Sequence, residues 1–322
     1  MKTIVRTMLP MALVLACSTA YAQTYPSKSI LMLMPLQAAS SVDVGMRIVT
    51  QKMSENMGQQ IVIENQPGAA GLIGTERFMR SPPDGYTLAT LNDSILTMIP
   101  HLYRKVAYDP LKSFTPVSLV AGNTWLLVVH PTLPVKSARD LVALAKARPD
   151  ELNYSSGGNG SPQHIAMEMF KSMTGAKLTH IPYKGTTQAT IDLISGHIPV
   201  MFSATSLVIA QVREGKLRAL AAGGARRSAL LPAVPTVAES GVPGYDFNTW
   251  MSIFAPLNTS KESVSRLNTE IVKALAAPEV REKLVGIGFE IEGSSPDKLA
   301  AVTKARFEQM QKIIKDAGIR ID

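Results

Sequence analysis

Ile30-Leu31-Met32-Leu33-Met34, then Pro35-Leu36-Gln37-Ala38-Ala39-Ser40-Ser41, then a run from Val42 to Met57 with apolar residues at helical spacing: this stretch decides the fold class. Five consecutive apolar residues read as a strand buried on both faces. The turn of small residues hands that strand directly to a helix. Such a unit is the building block of α/β architecture with parallel strands. The pattern repeats downstream. Ile61-Val62-Ile63 is the next strand, and a helix from Gly74 to Arg80 stops at the turn signal Pro82-Pro83-Asp84-Gly85. Thr87 to Thr90 is a third strand.

Between Ala121 and Thr124 the chain leaves this first unit. Trp125 to His130 reads as a strand, Ala138 to Ala147 as a helix, and Asn153-Tyr154-Ser155 as a short strand. A helix starts near Pro162, a residue suited to the first helical turn. Leu178 to Pro182, Val200 to Phe202 and Arg218 to Ala222 are further strands, and Pro232 to Gly244 is a connector. Trp250 to Ala255 is a strand able to return to the first unit, before a C-terminal helix–short strand–helix segment in which Ser260 caps one helix. The expected division is 23–123 for a first lobe, 124–248 for a second lobe inserted into it, and 249–322 for the return with the C-terminal helices. Two crossing segments would form a hinge.

Residues 1–22 read as a secretory signal: Lys2 and Arg6, an apolar run from Met8 to Ala16, and Ala20-Tyr21-Ala22 as the cleavage motif. The run is shorter than the roughly 20 apolar residues a membrane-spanning helix needs. Cleavage after Ala22 is expected, giving a periplasmic protein. Cleavage before Cys17, leaving a lipid anchor, is the competing reading. Cys17 is the one cysteine of the chain, so disulfides cannot brace the mature protein. Losing Lys2 and Arg6 takes the formal net charge from +8 to +6, a dispersed excess that favours anions without making a nucleic-acid footprint.

Three strand-to-helix loops could bind a ligand. In the first, around Ala38, Ala39, Ser40 and Ser41, small residues allow close approach, and free N–H groups at a helix start attract an anion. Asp43 there is read as a helix cap paired with Arg47 one turn on. The second loop, Asn65 to Gly74, spaces its glycines wrongly for a dinucleotide fingerprint and lacks a Walker lysine, so it reads as a tight turn beside a small ligand. The third, Ser155 to His164, is rich in hydroxyls and glycines that permit an anion-binding nest. Ser161 and His164 lack a nucleophile elbow and an evident orienting acid, so no catalytic residue is assigned. The histidines at 101, 130, 164, 180 and 197 show no metal-type spacing, and no cofactor is implied.

Taken in order, several motifs resemble the periplasmic substrate-binding subunits of tripartite tricarboxylate transporters, the Bug proteins. They are Tyr25 to Lys28, Ile63 to Gly74, Pro83 to Tyr86, Ser155 to His164, Ile181 to Gly185, Lys216 to Leu220, Val234 to Thr236, Gly241 to Tyr245 and Ala255-Pro256. The resemblance implies a two-lobed, type II-like α/β binding protein without enzymatic activity, holding a small mono- or dicarboxylate in the cleft. It implies a carboxylate clamp of Ala38 to Ser41 with Ser156, Gly157, Gly158 and Asn159. Gly71 and Gly74 would lie beside it, with His164, Tyr183 and Gly185 lining the cavity. Membrane permease subunits would be its partners, with no nucleic acid, no metal and a monomeric state. A sensing subunit that presents its ligand to a receptor kinase would need the same cleft. Two positions depart from the pattern. Ala39-Ser40 replaces a usual Gly-Gly pair, so the loop is expected to be reshaped or to offer the Ser40 hydroxyl. Ser203 stands where an Asp is frequent, which argues for a ligand without an amino group.

Overall fold

The structure is a computed structural model that describes residues 25–321; the expected signal peptide and Cys17 lie outside them. In chain order, β1 (Ile30–Met34), α1 (Ser41–Met57), β2 (Ile61–Asn65), α2 (Leu72–Met79), β3 (Thr87–Asn92), α3 (Ile99–Leu102) and β4 (Phe114–Asn123) build the first lobe. The second holds β5 (Trp125–Val129), α4 (Ala138–Ala147), β6 (Asn153–Ser156), α5 (Pro162–Thr174), β7 (Thr179–Pro182), α6 (Thr186–Ile194), β8 (Val200–Ala204), α7 (Thr205–Arg213) and β9 (Arg218–Ala222). The chain returns through β10 (Thr249–Pro256), α8 (Lys261–Ala276), α9 (Pro278–Gly286), β11 (Phe289–Ile291) and α10 (Pro296–Asp316). Two sheets result, ordered β11-β4-β10-β3-β1-β2 and β7-β6-β8-β5-β9.

The sheets are mixed, where the sequence suggested parallel strands. β1 pairs in parallel with β2 and β3, and β6 with β7 and β8. The crossing strands break the pattern: β10 runs antiparallel to β3 and β4, and β5 antiparallel to β8 and β9. A strand arriving from the other lobe has no crossover helix to impose a parallel direction. β4 was not anticipated. Pro116 argues against an interior strand, and it is accommodated where the β10–β4 register shifts between Ile253 and Phe254.

Local chemistry places α1 and α5 at the cleft. Ser40 and Ser161 cap them, each accepting a backbone N–H three residues on, from Asp43 and His164. The left-handed glycines Gly58 and Gly175 end the two helices. Met46, Val49 and Met53 on α1 are fully buried in the core shared with β1 and β10, each contributing about 1.5–3 kcal/mol.

Side chains link the crossing segments. Trp125 Nε1 donates to Thr249 Oγ1 at 2.9 Å, and Thr124 Oγ1 bonds Thr205 Oγ1 at 2.9 Å and Gly288 O at 2.8 Å. α10 spans both lobes. Leu299 packs in the first-lobe core with Leu91 and Phe114, while Met310, Ile314 and the following Ile319 pack with Ile165 and Phe170 in the second.

Candidate functional site: the cleft between the lobes

A cavity of about 100 Å³ lies between the two sheets. Residues at the starts of five helices line it: Ser40 to Val42 of α1, Gly71 before α2, Ser161 to Gln163 of α5, Gly185 and Thr186 of α6, and Ala204 before α7. The first N–H groups of a helix have no intrahelical partner, and its dipole places about half a positive charge there. Among the lining residues Lys184 is the one with a charged side chain, and none is acidic. Leu36, Val42, Pro67, Trp125 and Leu207 supply apolar wall. The chemistry suits a small anion with an apolar portion, held by neutral donors and helix ends.

The lobes touch across this cavity. Gln37 Nε2 donates to Lys184 O at 2.7 Å, Thr187 Oγ1 donates to Ala38 O at 3.2 Å, and the Ser41 and Ser206 hydroxyls lie 2.6 Å apart. Ser94, in a π-helical turn (Ser94–Met98) after β3, donates to Gly160 O at 2.9 Å. Gly185 is required at this seam, because its φ is +151° and a β-carbon there would fall on the Gln37 amide.

Of the residues expected in the site, Ser40, Ser41, Gly71, Gly157 and Gly185 line the cavity. The others stand outside the lining. Ala38 and Ala39 form the exposed outer part of their loop. Gly74 serves packing, since a β-carbon there would lie 2.6 Å from Gln66 O. Ser156 and Gly158 sit behind Gly157, with Gly158 N–H donating to Ser156 Oγ at 3.0 Å, and Asn159 is exposed. His164 is buried beneath the loop, where its Nδ1 accepts Gly160 N–H at 3.3 Å. Tyr183 turns to Asp192, donating at 2.5 Å, and Ser203 is wholly buried in β8, with Ala204 facing the cavity instead.

Asn92, Ser94, Asn123, Gln163 and Thr249 also line the cavity and were not anticipated there, and Trp125, for which core packing was the first expectation and a cleft-wall role the second, lines it too. Asn92 and Asn123 are the terminal residues of β3 and β4, an amide at a strand end being the signal that could have marked them. Asn123 Oδ1 and Gln163 Oε1 are buried without a hydrogen-bond partner among the described residues. They are spare acceptors at the cavity wall.

Asp43 braces the first loop. Its carboxylate accepts from Ala39 N–H at 2.9 Å, Arg47 at 2.9 and 3.0 Å, and Asn65 Nδ2 at 2.9 Å. Burial pushes its pKa up, but the hydrogen bonds from Arg47, Asn65 and Ala39 outweigh that and hold it below the usual carboxylate range. Ala39 has φ +59°, so the left-handed turn survives without glycine, and Ser40 stays extended with its hydroxyl engaged in the cap.

An interlobe cavity of this kind, on two linked α/β lobes, defines a solute-binding protein. Residues 46–319 match the Tripartite tricarboxylate transporter family receptor, and the chain belongs to that family of substrate-binding proteins, which are not enzymes. It is 33% identical over 301 residues to protein BugT of Bordetella pertussis, covering 93% of this chain and 92% of that one. Among solved structures, it is similar to an R. palustris protein with adipate, at 34% identity and TM-score 0.89, covering 92% of this chain and 99% of that chain. It is also similar to MatC of Rhodopseudomonas palustris with bound malate, at 28% identity and TM-score 0.86, covering 90% and 100%.

Proposed function

We propose that this protein is exported to the periplasm, captures a small organic mono- or dicarboxylate in the interlobe cleft, and delivers it to the membrane permease subunits of a tripartite tricarboxylate-type transporter. The observation that carries the reading is the gathering of helix starts on a cavity with no acidic residue in its lining. The relatives solved with adipate and malate support the ligand class. In this reading Ser40, Ser41 and Gly71 hold the acid from the first lobe, and Gly157, Ser161 and Gly185 from the second. The lobes hinge where the chain crosses, at Asn123–Thr124 and Asn248–Thr249. The lack of any carboxylate in the lining makes an amine-bearing ligand unfavourable.

Thermal-shift screening of the mature protein against mono-, di- and tricarboxylates tests this. A ligand at a hundred times its Kd adds about 2.7 kcal/mol to stability, which raises the melting temperature measurably. At least one acid is expected to do so. A shift with an amine or a sugar and with no acid overturns the assignment.

A further inference from the structure

The buried cluster beneath the second-lobe loop has no part in the clamp just described. α5 carries His164, Glu168 and Lys171 on one face, β7 carries His180, and β6 carries Tyr154 directly opposite His180 in the ladder. The three rings form one stack. Tyr154 and His180 have centroids 4.8 Å apart, His180 and His164 4.3 Å apart, with interplanar angles of 16° in both pairs.

Both imidazoles of this stack bond the segment that carries the glycines. Gly160 N–H donates to His164 Nδ1 at 3.3 Å, which requires Nδ1 to carry no proton. His180 Nε2 lies 2.6 Å from Ser156 Oγ, and that oxygen in turn receives Gly158 N–H at 3.0 Å. Gly158 and Gly160 have φ of +112° and +78°, angles a free glycine exchanges readily with others. The bond from His164 restrains Gly160 directly and that from His180 restrains Gly158 through Ser156 Oγ, and Gly157 of the same loop lines the cavity.

The charged groups facing the stack are already satisfied. Glu168 accepts from Tyr154 OH at 2.6 Å and from Lys171 Nζ at 2.7 Å, and Lys171 lies over the Tyr154 ring. Burial lowers His164 to about 4 and His180 to about 3, with Glu168 opposing and Lys171 reinforcing the shift. Both rings are therefore neutral at physiological pH.

We propose that His164 and His180 are positioning residues: as neutral imidazoles they fix Gly158 and Gly160, so that the loop from Ser156 to Ser161 is preset to receive the ligand. The inference rests on the cleft reading above for its effect on affinity. Presetting a loop spares the ligand the cost of ordering it.

Two arms test it on the full mature chain. In the first, hydrogen exchange of the Gly158 and Gly160 amides is followed without ligand. His164→Ala is expected to speed Gly160 exchange about tenfold, the loss of one hydrogen bond, and His180→Ala to speed that of Gly158 by a smaller factor, about threefold, because Ser156 Oγ still accepts the amide but is no longer held by the ring. His164→Asn puts an amide oxygen in the place of Nδ1, and His180→Gln puts an amide in the place of Nε2. These should restore most of the protection. In the second arm, calorimetry gives the Kd for adipate and malate well below each variant's unfolding midpoint. The alanine variants should bind about tenfold more weakly, and the isosteres within about threefold of the parent. A cluster that only stabilises the lobe would lower the midpoint of every variant and leave Kd unchanged. Unchanged exchange in His164→Ala, or unchanged Kd with faster exchange, overturns the proposal. A parent that binds no acid at all sinks the carboxylate reading, while the exchange arm still decides the pinning.

Discussion

The two halves of the proposed clamp solve one problem with the same frame and opposite chemistry. α1 and α5 both begin with a serine cap, and in both the third residue of the helix reaches back to the N–H just before that serine. In the first lobe it is Asp43 accepting from Ala39, and in the second His164 accepting from Gly160. This is the reciprocal logic of a capping box, with a carboxylate in one case and a neutral ring in the other. The difference follows from the neighbours. Arg47 neutralises Asp43 on its own side of the first loop, and Asn65 donates a further hydrogen bond to it. Beneath the second loop the cation, Lys171, is already held by Glu168. An uncompensated carboxylate there would repel an anionic ligand. A neutral acceptor keeps the geometry and omits the charge.

Asp43→Ala should break the comparison most severely. It orphans Ala39 N–H and removes the partner of Arg47, so a loss of about 2–3 kcal/mol in urea unfolding is expected. A loss under about 0.5 kcal/mol would show that the brace is dispensable. His164→Asp is the sharper experiment, because it gives the second lobe the first lobe's acceptor without its arginine. Gly160 N–H keeps a partner, yet acid affinity should fall about tenfold or more, and more steeply at low salt. Affinity equal to the parent's would mean that charge under this loop is irrelevant to binding.

Acid should separate the lobes. His164 and His180 have folded pKa values near 4 and 3, below the ordinary imidazole value of about 6.5. The unfolded chain therefore binds more protons than the folded one between those limits, and their contribution to stability falls as pH drops from about 6.5 towards 4. Asp43 is depressed below its ordinary 3.8, so its contribution holds above that value and is lost only as pH falls through the lowered one. Between pH 7 and 5 the second lobe should weaken while the first brace stays intact. Urea midpoints of the parent should fall over that interval, and a His164→Asn, His180→Gln double variant should fall less. Equal slopes would refute the assignment.

How legible this was in the sequence differs between frame and site. The cap at Ser161, the helix Ala138–Ala147 and the strand Arg218–Ala222 follow from local chemistry, whereas the first helix is capped by Ser40 and not by Asp43, which sits three residues on and bonds back to Ala39 N–H. The pairing Asp43–Arg47 was legible for the same reason, as a one-turn contact. β4 was hidden by Pro116, and the antiparallel strands by the absence of any local signal for direction. The cavity was hardest. Asn92, Asn123 and Thr249 come from three separate stretches that only sheet pairing brings side by side, on β3, β4 and β10, and Gln163 faces them from α5 of the other lobe. His164 and Tyr183 lie in the right loops but turn away from the cavity, because each finds a better partner behind it, Gly160 N–H and Asp192.

The smallest expected effect tests where each lobe stores its backbone strain. In the second lobe the left-handed angles of the clamp loops fall on Gly158, Gly160 and Gly185, whereas in the first they fall on Ala39, Ala69 and Ala70 as well as glycine. An L-residue in that region costs about 1–2 kcal/mol, and glycine gives back about 0.5–1 kcal/mol through the entropy of the unfolded chain. Ala39→Gly should therefore stabilise the protein, by at most about 1 kcal/mol in urea unfolding. It should also weaken acid binding slightly, about two- to threefold, because a freer loop must be ordered again on closure. Both signs matter together. Lower stability would mean that Ala39 does not hold this angle in solution. Higher stability with undiminished affinity would mean that the strained alanine adds nothing to the presetting of the loop, and that the Asp43 brace alone holds it in shape.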